Sequence, residues 1–255
     1  MGFSQITLAA HLRPYKGVGR NKVILKKGRL LAIGDIHGCR KALKKLLKLV
    51  APERDDTVIM LGDYVDRGPR SKGVIDYLLN WKWDAKLITL KGNHEMIMEQ
   101  ATESKMHLEY WGEVGGAETL ASYGGKLKMI PDEHWEFIEK AEPFYETENF
   151  IFVHGGIAPY DKPEDQPLED LAWLRFREAK AHFSGKTVIC GHTVQRKGLP
   201  VDKGHSICID TAACRGGWLT CLDARAGRFW QTSEKGENRQ GKLPRKLRKL
   251  RKQGD

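Results

Sequence analysis

The stretch Leu61 to Gly68, reading Leu-Gly-Asp-Tyr-Val-Asp-Arg-Gly, constrains this chain more than any other. It follows the apolar run Thr57-Val58-Ile59-Met60 and puts two carboxylates and a guanidinium into one short loop between Gly62 and Gly68. Charge concentrated directly after a buried strand is costly unless something of opposite charge sits there. The same device recurs in Gly34-Asp35-Ile36-His37-Gly38, Gly92-Asn93-His94-Glu95, His154-Gly155-Gly156 and Gly191-His192-Thr193, each placed directly after its own apolar run. Loops of this kind call for one site assembled from distant segments.

The segments between the loops set the fold class. Leu30 to Ile33 reads as a buried strand, and Arg40 to Val50 as a helix with Leu43, Leu46, Leu47 and Val50 on its apolar face. The pattern repeats with a strand at Thr57 to Leu61, a helix at Lys72 to Leu79, a strand at Leu87 to Leu90 and a helix from His94 to Gln100. Such alternation predicts an α/β fold with a parallel or mixed sheet covered by helices, and with ligand-bearing loops at the carboxyl ends of the strands. Residues 101–149, with a Pro131-led helix through Lys140, read as a helical insertion or cap overhanging the site. Strands are expected again at Phe150 to Val153 and Thr187 to Cys190, with a helix at Leu168 to Ala181 between them. Ser206 to Ile209, Leu219 to Leu222 and Arg228 to Trp230 resemble an antiparallel meander, which predicts a second, more antiparallel sheet stacked on the first. Before the first loop, Met1 to Asn21 reads as an irregular lead-in and Lys22 to Leu25 as a short edge strand.

No break in composition divides the 255 residues, so one domain is expected over 1–235, with the 101–149 insertion inside it. Residues 236–255 read as a basic, flexible C-terminal tail. The formal net charge of +10 would by itself suggest nucleic acid, but Lys242, Arg245, Lys246, Arg248, Lys249, Arg251 and Lys252 concentrate much of it at one end. A solvated tail is the plain reading, and contact with nucleic acid or anionic membrane is what Leu243, Leu247 and Leu250 at helical spacing among those cations would add. The five cysteines form no Cys-x-x-Cys pair, and the N-terminus lacks the apolar core of a signal peptide, so a reduced, cytoplasmic protein is expected.

Asp35, His37, Asp63, Asn93, His154 and His192 offer the mixed oxygen and imidazole donors that manganese, iron or zinc accept. Two such ions a few ångströms apart need a shared carboxylate, for which Asp63 is central, and a water between them becomes a nucleophile near neutral pH. Charge on a phosphoryl group needs arginines, and Arg67 and Arg175 are the candidates; for Arg175, with Arg177 two residues away, a helix-surface position is the bland alternative. The leaving oxygen needs a proton, which His94 supplies if Asp66 orients it.

Gly34-Asp35-x-His37-Gly38, Gly62-Asp63-x-x-Asp66-Arg67-Gly68 and Gly92-Asn93-His94-Glu95 resemble, in order, the signature motifs of phosphoprotein-phosphatase-type metallophosphoesterases, with the compact spacing of bacterial and phage members. The resemblance runs from about Leu30 to about Leu222 and takes in His154, Trp173-Leu174-Arg175 and His192. It implies a calcineurin-like fold of two mixed sheets flanked by helices. It also implies one metal on Asp35, His37 and Asp63, and another on Asp63, Asn93, His154 and His192. Manganese is the first expectation, with iron, zinc or nickel as alternatives. Arg67, Arg175 and Asn93 would hold phosphate, and His94 with Asp66 would be the acid pair. The implied activity is serine/threonine, and by extension tyrosine, protein phosphatase, with no obligate regulatory subunit. Hydrolysis of symmetrical dinucleoside polyphosphates or of RNA ends is the alternative, although dinucleoside tetraphosphatases of this type generally replace Asp66. An inactive binding scaffold is a third reading, and it predicts lost ligands. One departure is Ala212, in Asp210-Thr211-Ala212-Ala213, where the family usually has glycine.

Overall fold

The computed structural model describes residues 28–244. The lead-in, the Lys22 to Leu25 strand and the basic run from Arg245 onward lie outside the described residues.

β1 (Leu30–Ile33) is buried at every position, as a central strand covered on both faces requires. The helix α1 (Arg40–Val50) buries Ala42, Leu43, Leu46, Leu47 and Val50, and Ala51 ends it in a left-handed conformation at φ 45°. β2 (Thr57–Met60), α2 (Ser71–Leu79) and β3 (Lys86–Thr89) repeat the unit, and β1, β2 and β3 pair in parallel. The chain then forms α3 (Asn93–Gln100) and α4 (Lys105–Trp111), a π-helical turn over Gly112–Gly116, α5 (Ala117–Ser122) and α6 (Asp132–Glu139). Trp111, Tyr123, Ile130 and Ile138 of this insertion join α1, α2 and the outer face of the first sheet in one core. The insertion is therefore a wall of the helical layer as well as a neighbour of the site.

β4 (Phe144–Glu146), β5 (Phe150–Val153), α7 (Leu168–Trp173), β6 (Thr187–Cys190), β7 (Val201–Asp202) and β8 (Ser206–Cys208) follow. β9 (Leu219–Asp223), β10 (Arg228–Thr232) and β11 (Asn238–Lys242) complete the described chain. The strands form two sheets, in the orders β11-β10-β9-β1-β2-β3 and β4-β5-β6-β8-β7. Both are mixed. Leu30, Ala32 and Ile59 from one sheet pack against Phe152, Ile189 and Ile207 from the other, so the apolar strands supply the layer between the sheets.

Three expectations need correction. Ser206 to Ile209 does not belong to a meander with the strands after it: β8 pairs in parallel with β6, while β9 and β10 join the first sheet beside β1. Antiparallel pairing is thus shared by both sheets. The helix expected to reach Ala181 stops at Trp173, because Leu174 turns extended at ψ 129° and only a single 3₁₀ turn follows at Phe176–Glu178. The reason is local: Gly155 and Gly156 N–H both donate to Leu171 O, so the His154 loop satisfies the end of that helix.

Part of the segment read as a flexible tail is also paired with the first sheet. Asn238 to Lys242 is an edge strand on β10, and Leu243 is buried in the core between the sheets. Its side chains are polar, which hid it; backbone pairing, an Arg239 hydrogen bond to Gln231 Oε1 at 2.7 Å and Arg239 stacked 4.1 Å from the Trp218 ring hold it. Among the described residues no helix is long and apolar enough to cross a membrane.

Candidate metal centre and acid pair

Asp35 and His37 follow β1, Asp63 follows β2, Asn93 opens α3, and His154 and His192 follow β5 and β6. Parallel strands bring all these loops to one end of the sandwich. Asp35, His37, Asp63, Asn93 and His154 are buried, and His192 is half-buried. His37, Asp63, Asp66, Arg67 and His192 all have positive φ, between 42° and 69°. For residues with a side chain that conformation costs roughly 1–2 kcal/mol each, a strain typical of loops that must aim functional groups.

Backbone bonding braces the loops against each other. Ile36 and His37 N–H donate to Asp63 O at 3.0 and 2.7 Å. The Glu95 carboxylate accepts N–H bonds from Asp63 at 2.8 Å, Tyr64 at 2.8 Å and Gly92 at 3.0 Å, and burial pushes its carboxyl up to about 7. Gly92 is required here, since a Cβ would strike Asp63 Oδ1. The sequence reading gives Glu95 no role. Its place three residues after the helix-capping Gly92 is the available signal.

The imidazoles are set by their backbone partners. His37 Nδ1 bonds to Val65 O and His154 Nδ1 to Leu61 O, both at 2.8 Å, so each proton is on Nδ1 and each Nε2 keeps its lone pair. The His154 lone pair meets other acceptors, with Nε2 3.4 Å from Asp63 Oδ1 and 3.0 Å from Asn93 Oδ1, while His37 Nε2, 3.3 Å from Asp63 Oδ2, is also met by the Arg67 guanidinium. Asn93 Oδ1 also lies 3.0 Å from His192 Nδ1. Acceptors gathered face to face in a buried place repel unless cations stand among them. Burial raises Asp35 and Asp63 well above the usual carboxylate range and lowers His37 and His154 well below the usual imidazole range; His192 is pushed to about 4 by burial and then by the Arg175 charge. The donors fit divalent cations. Among imidazoles and carboxylates, Asp35, Asp63 and His154 have ligand atoms within 4.8 Å of one another, as do His37, Asp63 and His94, and the two groups share Asp63. This grouping crosses the sets implied by the resemblance and brings His94 close to the donors.

His94 is tied elsewhere as well. Its Nδ1–H donates to Asp66 Oδ2 at 2.7 Å, and Asp66 is fully buried. Burial lowers the His94 imidazole while the Asp66 carboxylate opposes that shift. Arg67 Nη1 reaches His37 Nε2 at 2.7 Å, inside the cluster. Arg175 is exposed, but its charge acts on His192, whereas Arg177 is taken by Glu178 at 3.0 Å. One further carboxylate has no role in the sequence reading. Asp210 is buried and its charge adds to the rise of Asp35, and its Oδ1 accepts the N–H of Ala212 at 3.0 Å. Ala212 stands at φ 64°, which accounts for a preference for glycine at that position.

The family described as calcineurin-like phosphoesterase matches residues 28–213. This chain belongs to that family. Among its relatives, a protein phosphatase 2A catalytic subunit of Dictyostelium discoideum is 23% identical over 225 residues, covering 78% of this chain and 66% of that protein. A symmetrical bis(5'-nucleosyl)-tetraphosphatase of Nitrosospira multiformis is 27% identical over 157 residues, covering 60% of this chain and 53% of that one. The chain thus spans just under two thirds of the first relative's length and about half of the second's. A solved structure described as a putative diadenosine tetraphosphatase shares the fold of this phosphoesterase, with a TM-score of 0.58 at 19% identity over 86% of this chain and 95% of that one.

Proposed function

We propose that this phosphoesterase hydrolyses phosphomonoesters of serine and threonine in proteins, with two divalent cations. The observation that carries the choice of substrate is the buried Asp66 carboxylate 2.7 Å from His94 Nδ1. A serine alkoxide is a poor leaving group and needs a proton as the ester bond breaks, whereas a phosphate leaving group needs one far less. An imidazole kept in place by a carboxylate is suited to the first task.

Asp35, His37, Asp63, Asn93, His154 and His192 would hold the cations, with Asp63 common to both, and manganese is the first expectation. When bound, these ions supply an activated water for attack on phosphorus and neutralise charge on the phosphoryl oxygens. Arg67, from inside the cluster, and Arg175, from its rim, bind and orient the phosphoryl group through charge-assisted hydrogen bonds. His94 donates its Nε2 proton to the departing oxygen. Asp66 holds the other ring nitrogen.

A second reading is hydrolysis of dinucleoside polyphosphates, favoured by the named activity of the Nitrosospira relative. The two separate in one experiment, in which EDTA-stripped protein restored with Mn²⁺ is assayed on a phosphoserine peptide and on diadenosine tetraphosphate. Higher kcat/KM on the peptide supports the first reading. Higher kcat/KM on the nucleotide replaces it with the second.

A further inference from the structure

Asp66 carries more hydrogen bonds than the orientation of one imidazole requires. Its Oδ1 accepts from Trp111 Nε1–H at 2.9 Å and from the Thr119 hydroxyl at 2.8 Å, while Oδ2 accepts from His94 at 2.7 Å and from the same indole at 3.0 Å. Thr119 Oγ1 also accepts the Asp66 backbone N–H at 2.8 Å, an N–H that Ser71 Oγ shares at 3.1 Å. One residue on, Arg67 N–H donates to Gly115 O at 3.0 Å. Gly115, at φ 124°, lies so close that a Cβ there would strike Arg67.

All of these contacts except the Ser71 and His94 bonds come from the insertion. Trp111 ends α4, Gly115 lies in the π-helical turn and Thr119 lies in α5. Trp111 and Thr119 are both fully buried, and the Trp111 ring lies against Gly116, where a Cβ would overlap it. The indole is therefore fixed before it reaches Asp66. On the other side, Asp66 and Arg67 stand at φ 69° and 66° and need support from outside their own loop. A carboxylate held by His94 alone could swing about its side-chain torsions. With both oxygens engaged by donors on packed helices, its plane is set.

We propose that Trp111 and Thr119 are positioning residues for proton transfer: they fix the Asp66 carboxylate so that His94 Nε2 faces the leaving oxygen of a phosphomonoester. This rests on the reading of the site as a phosphomonoesterase. The step served is balanced as follows. The oxygen of a water molecule bonds to phosphorus and that water releases one proton to solvent; the bond from phosphorus to the leaving oxygen breaks with its electron pair on that oxygen. The leaving oxygen takes the Nε2 proton, and His94 regains a proton from solvent. Asp66 stays bonded to Nδ1–H throughout. The insertion thereby acts on the rate of breaking strong ester bonds, beyond any effect on which substrates enter.

The test compares two esters that differ in their need for an acid, phenyl phosphate with a poor leaving group and 2,4-dinitrophenyl phosphate with a good one, using the full chain loaded with Mn²⁺. Trp111→Phe removes the indole donor, and Thr119→Val removes the hydroxyl at nearly constant size. Each is expected to lower kcat on phenyl phosphate about 10- to 100-fold with KM changed less than about twofold, and to lower kcat on the dinitrophenyl ester less than about threefold. Thr119→Ser, which keeps the oxygen, is expected to recover most of what Thr119→Val loses. Thr119→Val is the smaller perturbation and keeps the test open if Trp111→Phe fails to fold. Equal losses on both esters, or no loss on either, in variants with wild-type manganese content and thermal midpoint, overturn the positioning role alone. A wild-type chain that hydrolyses neither ester overturns the reading of the site, and the positioning role with it.

Discussion

The two sheets contribute to the site in different ways. Asp35, His37, Asp63 and Asn93 come from loops after neighbouring parallel strands of the first sheet, and those loops share backbone bonds, with the Glu95 carboxylate at the centre. His154 and His192 come from the second sheet and have fewer backbone ties: Gly191 N–H to His154 O at 2.8 Å joins their loops, Leu61 O holds the His154 ring across the sheets, and the His192 N–H donates to Asp35 at 3.0 Å. Coupling within the first half means that a change at one residue should disturb several donors. A change in the second half should remain local.

Asp63→Asn attacks the point where the halves meet, and it should lower Mn²⁺-dependent turnover by at least about 10³-fold while metal analysis shows both positions affected. Glu95→Gln attacks the coupling itself. It sets an amide N–H₂ against backbone N–H groups that now meet a carboxylate, and should cost on the order of 3 kcal/mol, read as a fall in the urea midpoint together with weaker metal retention. His192→Ala should act locally, with metal affinity reduced about 10- to 100-fold and the urea midpoint nearly unchanged. A large loss of stability there would erase the contrast between the halves. Arg175→Ala should raise KM for a phosphomonoester about tenfold, with metal content constant, and Arg177→Ala should do neither because its partner is Glu178. Ala212→Gly is the smallest change: relieving the positive φ should stabilise the fold by about 0.5–1 kcal/mol, measured by thermal denaturation.

The same contrast governs how far the sequence can be read. β1, β2, β5 and β6 lie within a residue of where the sequence places them, because each is a continuous apolar run ended by a polar loop, and burial on both faces leaves no other pattern. The candidate donors are legible for the same reason. What is hidden depends on distant partners. Ser206 to Cys208 has the composition of any short strand, and only the packing of Ile207 between the sheets decides that it joins β6. Asn238 to Lys242 carries no apolar side chain to bury, and its pairing is backbone bonding at a sheet edge. Trp111 and Thr119 lie forty-five and fifty-three residues from the Asp66 they contact, so no local spacing could connect them.

The proposed function divides the buried cluster into donors that would hold cations and an acid pair that would serve the leaving group, and His94 is where that division is most exposed, since it lies within 4.8 Å of His37 and Asp63 and yet is bonded to Asp66. The direct measurement is elemental analysis of His94→Asn beside its Mn²⁺-dependent turnover of a phosphoserine peptide. This division predicts the same two ions per chain as wild type and a kcat lower by about 10²- to 10⁴-fold. Loss of an ion in that variant would contradict it and make His94 a ligand.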